Sequence, residues 1–233
     1  MNSVTTQDRL FHKIVSIPAN GVQLEGELII PAHASGIILF AHGSGSSRHS
    51  PRNKFVAEML REAQFGTLLM DLLTRQEDAI YENRFDIDIL TKRLEQATQW
   101  LGKQPQSRLS AVGYFGASTG AAAALNAAAH LGSAIGAVVS RGGRPDLALE
   151  ALPDVKSPTL LIVGGLDDVV IDLNRQAYRQ LKTQKKLEIV PGATHLFEEP
   201  GTLEQVSQLA IKWFDRHLRA SGQHERAKPK SVS

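Results

Sequence analysis

Gly116-Ala117-Ser118-Thr119-Gly120 stands where an apolar run, residues 109–115, gives way to the alanine-rich pattern of residues 121–129. A GxSxG turn between a buried strand and a helix is so tight that glycine is needed at its flanks, and it lifts the serine hydroxyl clear of the sheet edge. Ser118 is therefore a candidate nucleophile. A serine hydroxyl is a weak nucleophile on its own, so it needs a base to take its proton and an acid to hold that base in one tautomer. Four of the eight histidines follow Ser118: His130, His195, His217 and His224. His130 falls late in the helix that Ser118 opens, His217 in the last helix and His224 in the polar tail. His195 alone lies in a loop after a strand, residues 191–197, at the sheet edge where the serine also emerges. For the acid, the strand at 160–163 runs into Gly164-Gly165-Leu166-Asp167-Asp168, and both aspartates leave the sheet at that same edge.

A nucleophile of this kind also needs N–H donors aimed at the charge that develops on the attacked carbonyl oxygen. The Thr119 amide, directly after the nucleophile, is placed to be one. The loops at this edge also carry Arg48, Arg52, Arg75, Arg141 and Arg144. Planar guanidinium groups suit a carboxylate or phosphate, which makes Arg48 and Arg141 candidates for holding an anionic substrate. Their alternative is pairing with Asp71, Glu77, Asp78 and Asp146, which share the same loops.

These side chains need a scaffold that brings several strand ends to one edge. Runs at 12–19 and 22–30 flank Asn20-Gly21, a dipeptide whose tolerance of positive φ predicts a tight antiparallel hairpin. Beyond Pro31, short apolar runs at 36–41, 66–72, 109–115, 134–140, 159–163 and 186–190 alternate with longer stretches at 54–64, 85–102, 121–130, 174–182 and 202–218, whose apolar residues recur at helical spacing. The expected fold is α/β: a mostly parallel sheet opened by the hairpin, with helices on both faces. Residues 1–220 read as a single domain, and the polar residues 221–233 as a disordered tail. The interval 141–157 is largely filled by a helical pattern at 146–152, which leaves no room for a cap domain.

Composition narrows the function classes. A chain of 233 residues with 42% hydrophobic and 21% charged residues can form a sizeable core, and no segment approaches the roughly 18 apolar residues of a membrane span. With no cysteine, disulfides, thiolate metal sites and a thiol nucleophile are excluded. The net charge is +2, and the basic cluster at 226–230 is too small to track a nucleic-acid backbone. Residues 1–13 are polar where a signal peptide would be apolar, which points to the cytoplasm. Nothing in the sequence indicates oligomeric state.

His42-Gly43, the GASTG turn, Gly164-Gly165-Leu166-Asp167 and Ala193-Thr194-His195-Leu196-Phe197 together make residues 12–218 resemble the α/β-hydrolase superfamily, and within it the small dienelactone-hydrolase-like branch. Gly164, Asp167 and Val170 match that superfamily's GxxDxxV pattern. The resemblance thus implies Asp167 as the acid, with Asp168 solvated or capping the next helix. It implies a Ser118, His195 and Asp167 triad, and an oxyanion hole made by the Thr119 amide and, from the HG loop, the Ser44 amide. No cofactor or metal is called for. Dienelactone hydrolases proper use cysteine where this chain has Ser118, so the resemblance points to a serine esterase or related acyl hydrolase acting on a small-molecule acyl substrate. The same groups could serve thioesters, lactones or acyl transfer. The fold is also used for non-catalytic binding, usually with a degraded triad, whereas every triad position is present here.

Overall fold

Asn20 and Gly21 take φ values of 42° and 81°, and the hairpin they turn joins β1 (Phe11–Ala19) to β2 (Val22–Ile30) in antiparallel register. The computed structural model describes residues 10–107 and 110–226. Six more strands follow: β3 (Ile37–Ala41), β4 (Gly66–Met70), β5 (Val112–Ala117), β6 (Ile135–Arg141), β7 (Thr159–Gly164) and β8 (Lys185–Val190). They form an eight-stranded sheet in the order β1-β2-β4-β3-β5-β6-β7-β8, antiparallel through β1, β2 and β4 and parallel from β4 to β8. The 109–115 run thus enters the sheet at Val112, and its first residue lies outside the described residues.

Alternation along the parallel strands divides the core in two. Ile37, Leu39, Ala41, Tyr114, Val138 and Leu161 face α3 (Ile87–Lys103), α4 (Thr119–Leu131) and α5 (Asp168–Gln180). Ile38, Phe40, Phe115, Val139 and Ile162 face α1 (Pro51–Glu62) and α6 (Thr202–Arg226). Each helix buries the stripe its spacing requires, as Leu90, Leu94, Ala97 and Leu101 do in α3. Helix α4 is different, because it buries Ala121 to Ala124, Leu125, Ala127 and Ala128 on nearly every side. Small residues all round let it press against the sheet. At its first turn a Cβ on Gly120 would lie 2.1 Å from the Ala41 carbonyl oxygen and 2.4 Å from that of His42.

Some local structure departs from the sequence reading. The 146–152 stretch is two short 3₁₀ segments, Pro145–Ala148 and Leu152–Asp154, each with a proline in its first turn, where its missing N–H is tolerated. Between β4 and α3 lie a four-residue helix, α2 (Arg75–Asp78), and a 3₁₀ segment, Tyr81–Phe85. The Thr74–Glu77 capping box fixes α2, and Asp86 caps α3, so the third helix begins at Ile87 rather than 85. Helix α6 continues to Arg226, into the segment that composition assigns to disorder; residues 227–233 of that segment lie outside the described residues.

Gly120→Ala forces main-chain atoms apart where no side chain can yield. It is expected to lower the unfolding free energy by about 1–3 kcal/mol or more in urea titration. An unchanged midpoint would show that α4 and β3 are not in rigid contact.

Candidate active site

The turn from β5 into α4 holds Ser118 at φ 50° and ψ −122°, a conformation costly for a residue with a side chain. Backbone bonds sustain it: the Ser118 N–H donates to the Arg141 carbonyl at 3.3 Å, and its own carbonyl accepts from Ala121 and Arg144 at 3.1 Å each. Ser118 occupies the N-cap position of α4, yet its side chain makes no capping bond. The half-buried hydroxyl is thereby left for chemistry, at the positive end of the helix dipole.

Asp167 repeats this arrangement. It is the N-cap of α5 without a side-chain cap, and its Oδ2 instead accepts from His195 Nδ1 at 2.7 Å. With Nδ1 carrying the proton, Nε2 is the nitrogen left free as a base. Asp168 is exposed in the first turn of α5. The histidine loop is held by Glu199, whose carboxylate accepts from the Thr194 amide and hydroxyl at 3.1 and 2.6 Å, and by Phe197, buried at φ 57°. Strand β6 joins the two halves of the site, because Arg141 bonds the Ser118 amide while a Cβ on neighbouring Gly142 would lie 3.5 Å from His195 Nδ1. Among the described residues no hydrogen bond joins Ser118 to His195. Such bonds are often loose before substrate arrives.

The loop after β3 comes close to the nucleophile, with a Cβ on Gly43 falling 3.0 Å from Ser118 Cβ. His42 anchors this loop: its Nδ1 donates to the Gly43 carbonyl at 2.9 Å and its Nε2 accepts from the Leu72 amide at 3.0 Å. Burial holds the His42 imidazole below its ordinary pKa, so it is neutral. The Ser44 amide is not open as expected. It donates to the Thr119 hydroxyl at 2.9 Å, whereas the Thr119 amide, first in its helix, has no intrahelical acceptor. Neither the role of His42 nor this hydroxyl was read from the sequence; the hydroxyl of Thr119 beside the nucleophile was the available signal.

The arginines separate into two groups. Arg48 is paired with Asp71 and Glu25, and Arg144 with Asp146, the ion pairing that the sequence offers as the alternative to an anion contact. Arg141 is 7% exposed and forms no ion pair among the described residues. Its Nη1 reaches the Leu196 carbonyl at 3.4 Å, its guanidinium lies 5.8 Å from the Phe197 ring centre, and its Nε is buried without a partner. Burial, with the repulsion of Arg52, lowers its pKa to about 10, which leaves it charged at neutral pH. Phe197 also lines a cavity of about 350 Å³ between α1 and the histidine loop, together with Arg52, Phe55, Glu198 and Leu203 but not Ser118. Among the described residues, no cluster of three or more histidine or acidic side chains could hold a metal ion, and no helix is long and apolar enough to cross a membrane.

The family model of the Dienelactone hydrolase family matches residues 24–218. A Mycobacterium tuberculosis protein provisionally named as a phosphoribosyl transferase is 56% identical over 208 residues, which are 89% of this chain and 47% of that protein. The chain thus spans about half the length of the curated relatives it matches. The crystal structure of dienelactone hydrolase from Anabaena variabilis is 56% identical, with a TM-score of 0.87 over 90% of this chain and 99% of its own. Est1E from Butyrivibrio proteoclasticus shares the fold at a TM-score of 0.75 and 16% identity, over 87% of this chain and 98% of its own.

Because the folded pKa of His42 is lowered, the unfolded chain binds a proton there first. Stability present above the unfolded value of about 6.5 is lost as pH falls from there towards the folded pKa. The urea midpoint is expected to fall between pH 7 and 5, and to fall less steeply in His42→Asn. Equal slopes in the two proteins would contradict a neutral, buried His42.

Proposed function

The chain belongs to the dienelactone hydrolase family, and from that membership we propose that it is a serine hydrolase cleaving a carboxylic ester or related acyl bond of a small molecule through an acyl-enzyme. The observation that carries this reading is that both helix N-caps at the sheet edge withhold their side chains from capping: among the described residues the Ser118 hydroxyl is unbonded, and Asp167 is bound to His195.

Ser118 Oγ attacks the acyl carbon while His195 Nε2 takes its proton. Asp167 keeps Nδ1 protonated and stabilises the imidazolium. The carbonyl electrons move to oxygen, beside the Thr119 amide, and return as the bond to the leaving group breaks. The leaving group departs with the proton held by His195. Water then attacks the acyl-enzyme, gives a proton to His195, and the acid is released as Ser118 is reprotonated. The interval between β6 and β7 holds only two short 3₁₀ segments over this edge, which favours small or flexible acyl groups.

Arg141 narrows the substrate further. A buried guanidinium with no carboxylate partner is costly unless a ligand supplies the charge, so an acyl compound bearing a carboxylate or phosphate fits beside it. The name phosphoribosyl transferase belongs to proteins of which this chain matches about half, and no group described above is arranged for that chemistry.

Fluorophosphonate is expected to label the folded protein, and Ser118→Ala to abolish labelling and lower ester turnover by on the order of 10⁴-fold or more. Labelling that persists in the variant would remove Ser118 from the mechanism. Arg141→Met is expected to raise KM for an acidic ester about tenfold or more, leaving that of its neutral analogue near the original. Equal effects on both esters would remove the anionic group from the substrate.

A further inference from the structure

We propose that the second oxyanion donor is the hydroxyl of Thr119, and that the Ser44 amide, instead of reaching the substrate, orients and polarises that hydroxyl. This inference rests on the serine hydrolase reading and adds a catalytic group to it.

The argument is one of hydrogen-bond accounting. Thr119 Oγ1 accepts from the Ser44 N–H at 2.9 Å, across the gap between the loop after β3 and the start of α4. That bond occupies the Ser44 amide and one lone pair of the hydroxyl, and the hydroxyl proton remains. Several hydroxyls of this fold send their protons to backbone carbonyls, Thr98 to Leu94 at 2.9 Å, Ser107 to Leu101 at 2.7 Å, Ser157 to Ile135 at 2.7 Å and Ser207 to Leu203 at 2.9 Å, while those of Thr91 and Ser140 are buried without a partner and, unlike Thr119, accept no bond either. Thr119 has no such outlet. It is the first residue of α4, and the residue four positions back, Phe115, lies in β5, paired on both sides with β3 and β6. Among the described residues the Thr119 hydroxyl donates to nothing, although the residue is only 3% exposed.

A buried hydroxyl with an accepting bond and no acceptor for its own proton is a donor awaiting an acceptor. The group that arrives at this position is the carbonyl oxygen of a substrate whose carbon sits at Ser118 Oγ, next to the Thr119 amide. Accepting from Ser44 makes the hydroxyl a stronger donor. The same bond selects the side-chain rotamer, since a helical threonine otherwise divides between two. No proton is transferred. The hydroxyl donates a hydrogen bond that strengthens as negative charge develops on the oxygen, and both oxyanion donors then come from one residue.

The test compares wild type with Thr119→Val and Thr119→Ser, using p-nitrophenyl acetate as the probe. Valine keeps the shape and removes the proton, so kcat is expected to fall about 10²- to 10³-fold with KM within a few-fold, as for loss of an oxyanion donor elsewhere. Serine is expected to stay within about tenfold of wild type, because it restores the hydroxyl. A valine variant with kcat within a few-fold of wild type would overturn the proposal, since a freed Ser44 amide would then suffice. Equal losses in valine and serine would also overturn it, as the mark of a packing role. If the valine protein does not fold, Thr119→Ala is read by the same criteria. Should wild type neither hydrolyse the probe nor label with fluorophosphonate, the serine hydrolase reading fails, and this inference with it; an active wild type with an indifferent valine variant overturns this inference alone.

Discussion

The close approach of α4 to β3 is the constraint on which the site depends. Gly120 brings the helix so near that the Ala41 carbonyl oxygen occupies the space a Cβ would need, at 2.1 Å. A single side chain there would push the helix outward and carry Ser118, Thr119 and the first-turn amides with it. The alanine face of α4 serves the same end, because a larger residue at Ala121 or Ala124, both fully buried, would lift the helix from the sheet. Three distant pieces of chain meet as a result: the elbow after β5, the loop after β3, and the β6 terminus whose Arg141 carbonyl holds the Ser118 amide.

Around that fixed point the site accepts local strain, held in place by packing. Ser118 at φ 50° and Phe197 at φ 57° are both in the left-handed region, and both flank the chemistry. Phe197 is fully buried against the core that α6 completes, so the His195 loop cannot relax without opening that core. His42 does the same for the opposite wall by tying the loop after β3 to the end of β4. These are rigid supports, consistent with a site in which the N–H and O–H dipoles are set before any substrate arrives.

Much of the fold was legible because its signals are local. Asn20-Gly21 announces the hairpin, and apolar runs alternating with helical stretches announce the parallel sheet. The ends of β5, β7 and β8 could be seen to share an edge, and the structure brings Asp167 and His195 together there. What escaped depends on pairing across space. The sequence leaves Arg48 and Arg141 alike open between an anion contact and an ion pair; the fold brings Asp71 and Glu25 to Arg48, whereas among the described residues Arg141 has no counter-charge. The Ser44 to Thr119 bond links residues far apart in the chain, so no spacing rule could reveal it. The 3₁₀ segments after β6 hid behind an apolar pattern at helical spacing, which does not distinguish so short a stretch from 3₁₀ turns.

The central claim is that Ser118 carries the acyl group, and trapping that intermediate tests it most directly. Protein mixed with p-nitrophenyl acetate, quenched in acid within the first turnover and mapped by peptide mass should carry one acetyl group on the peptide containing Ser118, and lose it on further incubation. An ester that is hydrolysed while Ser118 stays unmodified at every quench time, or an acetyl group found only on another residue, would contradict the account.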